Sequence, residues 1–327
     1  LGDRLLSKSQ ALKRALVIYH FFEKDLSYID NFCHFLRFTY EPHQDFLIIV
    51  AGPHSMDLPR APNIQYFHVA NQNFDYGGYA KAIKALAFEK LYDYFVFVNA
   101  SVRGPFIPPY AKVSWLEALL DLLTPQVGIA GTAISLTPKE HAIAKLYHAK
   151  FGKSNFNHEI LAHVQTTCYA LPQLSLQYLI DQGFYEALAS LSKDETVRDY
   201  EIHLSQQLLA NQLNLKCMLP EYNQFDYRML DHEINPTSRE GDSGFVNSYF
   251  GRTAHPYESM FIKTSRNTFP DSYLKQLASA MSINMPCNPV IAQSKAIQEY
   301  ELSCQRSMGS KSHEPATKSL WQKLLNR

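Results

Sequence analysis

Short runs of consecutive apolar residues, each cut off by polar or turn-forming residues, recur along the chain and predict strands buried on both faces. Ala15-Leu-Val-Ile-Tyr-His-Phe-Phe22, Asp45-Phe-Leu-Ile-Ile-Val-Ala51, Ile64-Gln-Tyr-Phe-His-Val-Ala70 and Tyr94-Phe-Val-Phe-Val98 are of this kind. Between them the period changes. Ile29, Phe32, Cys33, Phe35 and Leu36 make a helical face that ends near Tyr40, with Ser27 as its cap, and residues 80–91 read as a second helix. Ser114 and Glu117 have capping-box spacing at the head of a helix over 114–123.

The same reading continues with strands at 127–135, 163–171 and 215–219 and helices at 174–180, 185–191 and 197–213. Residues 136–160 carry lysines and histidines and read as a crossover or an active-site flap. Alternating strands and helices predict an α/β fold whose open, parallel-rich sheet has helices on both faces. The expected organisation is a leading helix or tail over 1–14, one sheet domain over 15–266, and a helical C-terminal extension over 267–327 with helices near 271–281 and 292–304.

Composition narrows the class. With 327 residues, 46% of them hydrophobic, the chain can bury a sizeable core. Its 31 basic and 31 acidic residues cancel, so the overall balance gives no support to nucleic acid as a partner. Cys33, Cys168, Cys217, Cys287 and Cys304 are scattered and never form C-x-x-C, which points to reduced thiols rather than a disulfide framework or zinc knuckle. No apolar run reaches the roughly 18 residues of a membrane span, the first residues lack the apolar stretch of a signal peptide, and the expected location is the cytoplasm. Residue 1 is Leu, consistent with a piece of a longer polypeptide.

The candidate chemistry gathers in two polar knots, each following a predicted strand. One is Asn71-Gln-Asn-Phe-Asp75-Tyr-Gly77-Gly78-Tyr79; the other is Asn99-Ala-Ser101-Val-Arg103-Gly104-Pro105. Because ligands of open α/β sheets bind at the C-terminal ends of strands, the two are expected to face one crevice. Strand one exits into Glu23-Lys24-Asp25 rather than a glycine-rich turn, which removes most of the case for a dinucleotide-dependent oxidoreductase.

Together with His163-Val-Gln165, Glu201-Ile-His-Leu-Ser205 and His255-Pro-Tyr-Glu-Ser-Met-Phe-Ile-Lys263, the two knots resemble, in order and spacing, the GT-A-like glycosyltransferases of bacterial polysaccharide synthesis, in particular the rhamnan-synthesis type. The resemblance spans about 15–265 and implies a GT-A-like, Rossmann-like open mixed sheet flanked by helices. It also implies transfer of a sugar from a nucleotide-sugar donor to a growing surface polysaccharide, a lipopolysaccharide O-chain or capsule. The partners it implies are that donor and a glycan or lipid-linked glycan acceptor. The alternative is a non-catalytic module that holds a glycan or a partner on the same fold.

On this reading Asn71, Asp75, Gly77, Gly78, Asn99, Ser101, His163, Gln165 and His255 are the donor-binding candidates, and Glu201 and Arg103 the catalytic ones. Asp75 either accepts hydrogen bonds from the donor or caps helix 80–91, while the glycines allow close approach of backbone to phosphate. Asn99 and Ser101 stand where many such enzymes carry Asp-x-Asp. Two neutral oxygens hold Mg²⁺ or Mn²⁺ poorly, so a divalent cation is possible but lacks its usual motif. That shifts phosphate neutralisation to Arg103, with Lys81, His255 and Lys263 as secondary cations. Glu201, near the start of a helix, is the candidate base for the acceptor hydroxyl. His163 and Gln165 would share one strand face, and Tyr76, Tyr79, Phe106 and Tyr110 are candidate stacking rings. Leu320, Trp321, Leu324 and Leu325, with Lys318, Lys323 and Arg327, have the pattern of a peripheral inner-membrane anchor or of a helix docked on protein.

Overall fold

The computed structural model describes residues 14–152, 159–186 and 190–309. Its strands are β1 (Ala15–Phe21), β2 (Asp45–Ala51), β3 (Ile64–Val69), β4 (Tyr94–Asn99), β5 (Val102–Arg103), β6 (Val127–Gly131), β7 (Ile134–Pro138), β8 (Ile160–Val164), β9 (Cys168–Pro172), β10 (Asn214–Cys217) and β11 (Ile262–Lys263). The helices are α1 (Leu26–Thr39), α2 (Phe74–Leu86), α3 (Trp115–Leu120), α4 (Ala142–Phe151), α5 (Gln173–Asp181), α6 (Lys193–Thr196), α7 (His203–Ala210), α8 (Pro256–Ser259), α9 (Asp271–Asn284), α10 (Pro289–Ala292) and α11 (Lys295–Gly309).

Seven strands form the central sheet in the order β10-β6-β9-β4-β1-β2-β3. All pair in parallel except β9, which runs antiparallel to both of its neighbours, β4 and β6. This is the open mixed sheet, flanked by helices, that the strand and helix pattern predicts. Alternation along each strand divides the core. Val17, Tyr19, Phe21, Ile48, Val50, Val96 and Val98 pack with α1, α3, α9 and α11 on one face; Leu16, Ile18, Leu47, Ile49, Phe95 and Phe97 pack with α2, α5 and α7 on the other.

Leu274, Ala278, Met281, Ile297 and Tyr300 of the C-terminal helices belong to the same buried cluster as β1. The segment expected as an extension therefore completes one side of the sheet. Residues 1–13 and 310–327, with the leading tail and the amphipathic run around Trp321, lie outside the described residues.

Several boundaries differ from expectation, and the reasons are tertiary. The single strand expected over 127–135 is two, because the chain leaves the main sheet after Gly131 and pairs β7 with β8 in a separate two-stranded sheet. A Cβ on Gly131 would lie 2.4 Å from the Val164 side chain, so β6 and β8 can approach only at glycine. The strand expected over 163–171 likewise divides into β8 and β9 around Gln165-Thr166-Thr167. The 136–160 stretch holds the ends of that small sheet and α4 rather than a long flap, with 153–158 outside the described residues.

Over 185–191 no helix forms among the described residues, which make turns as far as Glu186. The helix expected over 197–213 opens at Lys193 behind a Ser192–Glu195 capping box, passes through a π-helical segment at Val197–Ile202, and ends at Ala210. The five cysteines are free thiols, and all but Cys287 are buried.

At α3 the capping box is present in full: Glu117 N donates to Ser114 Oγ at 3.1 Å, and Ser114 N donates to the Glu117 carboxylate at 3.0 Å. Ser114→Ala is expected to cost about 1 kcal/mol. Urea unfolding should show it as a lower midpoint at unchanged slope; a midpoint equal to wild type would mean that this end of α3 is held by packing alone.

Candidate functional site

The two polar knots meet. α2 starts at Phe74, six residues earlier than the periodicity predicts, so Asp75, Gly77 and Gly78 lie in its first turns rather than in a loop before it. Asn73 holds the cap position without a side-chain cap bond, and the Asp75 carboxylate is directed elsewhere. It accepts a hydrogen bond of 3.1 Å from Asn99 Nδ2 at the C-terminal end of β4. Asn99 Oδ1 in turn accepts from Ser101 N at 3.1 Å and from Ser101 Oγ at 2.6 Å. Burial pushes the Asp75 carboxyl above its usual range, against the Asn99 hydrogen bond and the charge of Lys263.

Lys263 arrives by β11, which pairs antiparallel with β5 and sets Lys263 opposite Val102. Thr264 fixes the register by donating from N and Oγ1 to Ser101 O, at 3.1 and 3.2 Å. Among the described residues Lys263 has no carboxylate within ion-pair distance, so its charge remains available. It lines a narrow cleft of about 30 Å³, together with Thr132, Gln165, Thr167, Ser243, Gly244, Phe245, Arg266 and Thr268. Within that cleft Arg266 is already engaged: it pairs with Asp242, stacks on the Phe245 ring at 4.8 Å, and reaches Gln165 Oε1 at 3.4 Å. Gln165 Nε2 donates to Asp242 Oδ1 at 2.6 Å and to Ser135 Oγ at 2.9 Å.

Other sequence candidates go to different places. The Arg103 side chain is 0% exposed. Its guanidinium donates to Asn31 Oδ1 at 3.0 Å and to Asp271, and lies 3.8 Å from the Asp30 carboxylate, so it joins β5 to α1 and α9 with its charge matched. Lys275 bridges the same two acids, at 2.8 Å from Asp30 and 3.0 Å from Asp271. His163 is buried in β8 with Nδ1 3.2 Å from Leu161 O, and only Gln165 of that pair lines the cleft. His255 caps α8, accepting from Tyr257 N at 3.1 Å, with Nε2 2.8 Å from the Tyr273 hydroxyl; burial lowers its pKa.

Gly77 and Gly78 are buried and answer to packing. A Cβ would lie 1.9 Å from Gln72 O at the first and 2.5 Å from the His20 ring at the second. Asn71 is exposed. Tyr76, Tyr79 and Phe106 are buried in the core, and Tyr110 is 83% exposed. Glu201 lies in the π-helical segment, not at a helix start; it is half-buried and has no hydrogen bond or ion pair among the described residues. Its neighbour Tyr200 packs on Tyr76 at 4.9 Å between ring centroids, which brings this segment to the α2 side of the crevice.

Sequence reasoning missed His20, hidden inside an apolar strand. It lies opposite Asn99 in the sheet and edge-on to Tyr79 at 5.8 Å, and His20 Nε2 and the Tyr79 hydroxyl are buried without hydrogen-bond partners among the described residues. Burial lowers its pKa to about 4. The only hint in the sequence is a polar residue at the exit of the first strand. Arg266 and Asp242 were missed as well, because nothing local in either segment marks their pairing.

No family model matches the chain, and no curated protein matches it. Among solved structures it is similar to one described as the apo structure of the bifunctional glycosyltransferase WbbM, at 11% identity and a TM-score of 0.39, covering 91% of this chain and 52% of that one. The chain thus spans about half the length of that protein. So distant a likeness assigns no chemistry, which has to come from the residues themselves.

The donor set does not suit a divalent cation held by protein alone. Asp75 is the one carboxylate within the two knots, the Asn99 side-chain oxygen already accepts two hydrogen bonds, and no group of three His, Cys, Asp or Glu able to hold a metal occurs among the described residues. What the arrangement does offer an anion is the Lys263 ammonium, which has no ion-pair partner among the described residues, beside hydroxyl and amide donors.

Two outcomes follow. Arg103→Ala leaves Asn31 Oδ1 without its buried donor while Lys275 still pairs Asp30 and Asp271, and is expected to cost about 1–3 kcal/mol in chemical denaturation; a loss under about 0.5 kcal/mol would contradict the anchoring role. The second concerns pH. His20 has a folded pKa of about 4 against 6.5 for the free side chain, so below pH 6.5 the unfolded chain binds the extra proton. Stability from this group is complete above pH 6.5 and is lost as pH falls toward 4, by up to about 3 kcal/mol. His20→Leu should flatten that part of the stability–pH curve, and an unchanged slope between pH 6.5 and 4 would exclude it.

Proposed function

We propose that the chain is a glycosyltransferase that moves a sugar from a nucleotide-sugar donor to a growing surface polysaccharide. The observation that carries this is the hydrogen-bonded chain Asp75–Asn99–Ser101 at the strand ends, flanked by Lys263, which has no ion-pair partner among the described residues and lies on the wall of a cleft. Polar acceptors next to a free cation suit a ligand that is both a polyol and a diphosphate. The resemblance of the two knots to rhamnan-synthesis enzymes supports the same substrate class.

Lys263, rather than Arg103, is the proposed counter-ion for the leaving diphosphate, because its charge is unspent while that of Arg103 is matched. Arg103 is a positioning residue: it fixes β5, and through the β5–β11 pairing it fixes Lys263. Asn99 and Ser101 orient donor hydroxyls or phosphate oxygens. In an inverting course, the bond from the anomeric carbon to the phosphate oxygen breaks as the acceptor oxygen bonds to that carbon. The acceptor proton then passes to the Glu201 carboxylate, which has no competing partner among the described residues. The diphosphate leaves with the bonding pair, its charge met by Lys263 without a protein-held metal.

Calorimetric titration with UDP, GDP, dTDP and CMP, each in EDTA and with Mn²⁺, tests this. One nucleotide is expected to bind in EDTA, more than about 10-fold more weakly to Lys263→Ala. Glu201→Gln should bind it unchanged and lose about 10²–10⁴-fold in turnover. Binding only with Mn²⁺ would overturn the metal-independent mechanism, and no binding of any nucleotide would favour the non-catalytic module.

A further inference from the structure

Asn73 and Phe74 both have left-handed backbones, with φ of 60° and 57°. For asparagine this is a familiar turn conformation, but for a bulky phenylalanine it is an outlier that costs about 1–3 kcal/mol. The surroundings impose it. Asn73 Oδ1 accepts from Leu191 N at 2.9 Å, Asn73 O accepts from Gly77 N at 3.2 Å, and the Gln72 carbonyl closes over Gly77 where any Cβ would clash. The turn therefore has a fixed shape, and its effect is on the side chain between.

Phe74 is 46% exposed, whereas Tyr76 and Tyr79 in the same helix are buried. Its ring gains little from packing, yet it is held out at the head of α2, one residue before the carboxylate that reaches Asn99. Neither folding nor the Asp75–Asn99 contact needs an aromatic there. A strained backbone that exposes a planar apolar face one residue from that carboxylate, at the strand ends where the two knots meet, has the form of a stacking platform.

We propose that Phe74 is the surface on which the base of the donor nucleotide stacks, a role that rests on the nucleotide-sugar reading above. The strained turn presents the ring, Lys263 takes the diphosphate, and Asp75 with Asn99 takes the polar groups between. Since every base has a π-face, Phe74 supplies affinity without choosing the base.

The test separates base from phosphate by comparing, on the full chain, the nucleotides of the panel with inorganic pyrophosphate. Phe74→Leu keeps a Cβ and an apolar side chain but removes the π-face. It is expected to weaken the nucleotide that wild type binds by about 5- to 100-fold and to leave pyrophosphate binding unchanged. Phe74→Trp is expected to retain nucleotide affinity and to show fluorescence, above the wild-type signal, that the nucleotide quenches and pyrophosphate does not. Nucleotide binding by Phe74→Leu within about 2-fold of wild type would overturn the platform and leave the transferase reading standing. Equal loss of nucleotide and pyrophosphate, or a Phe74→Trp signal indifferent to nucleotide, would also overturn it. A wild-type chain that binds pyrophosphate and no nucleotide would overturn both.

Discussion

The structure around the crevice depends on one buried charge. Arg103 has no exposure to solvent, and an unpaired guanidinium there would be prohibitively costly, so Asn31 and Asp30 of α1 and Asp271 of α9 must converge on it. Two elements distant in sequence, α1 and α9, are thereby fixed to a two-residue strand. That strand leads directly from the Asn99–Ser101 turn and carries β11 as its partner. The positions of Ser101 and Lys263 relative to each other thus follow from satisfying a cation that touches neither.

The sheet supplies the rest of the frame. Its strands are apolar on both faces and bury two separate cores, so polar side chains can leave the sheet only at its ends. At the C-terminal end of β4 the first polar residue is Asn99, and at the end of β1 it is His20, directly opposite. α2 is drawn close above them by Gly78, where a side chain would strike the His20 ring. The close packing that glycine permits is what brings Asp75 within reach of Asn99. Packing and chemistry are here the same constraint.

Much of this was legible in the sequence, for physical reasons that can be named. Continuous apolar runs gave the principal strands nearly residue for residue, because burial on both faces leaves no other composition possible. The two knots were legible as breaks in those runs, and their meeting followed from the rule that ligands collect at strand ends. The roles were less legible. Arg103 and Lys263 look alike as isolated cations, and only the position of Asp271, far along the chain, decides which one is spent. Gly77 and Gly78 have the composition of a phosphate loop but the environment of a packing contact. The divisions at 132–133 and 165–167 left no mark either, since both halves of each run are apolar and only pairing with another sheet separates them. Phe74 escaped notice because an aromatic next to tyrosines reads as core, and its backbone conformation is set by Leu191 and Gly77 rather than by its own preference.

Charge accounting at the crevice ties the parts together. Arg266 is matched by Asp242 and Arg103 by its two acids, which leaves Lys263 facing Asp75. A diphosphate brings more negative charge than one lysine can meet, and it would lie beside a carboxyl whose burial already favours the protonated form. An anion placed there would act on the Asp75 carboxyl in the same direction as its burial, while the Asn99 hydrogen bond and the charge of Lys263 act against both. Two neutral residues, Asn99 and Ser101, in place of an acidic pair are consistent with this, because two more carboxylates would add repulsion that only a metal ion relieves. The neutrality of the Asn99-Ala-Ser101 turn and the lack of an ion-pair partner for Lys263 among the described residues thus keep the net charge of the junction low.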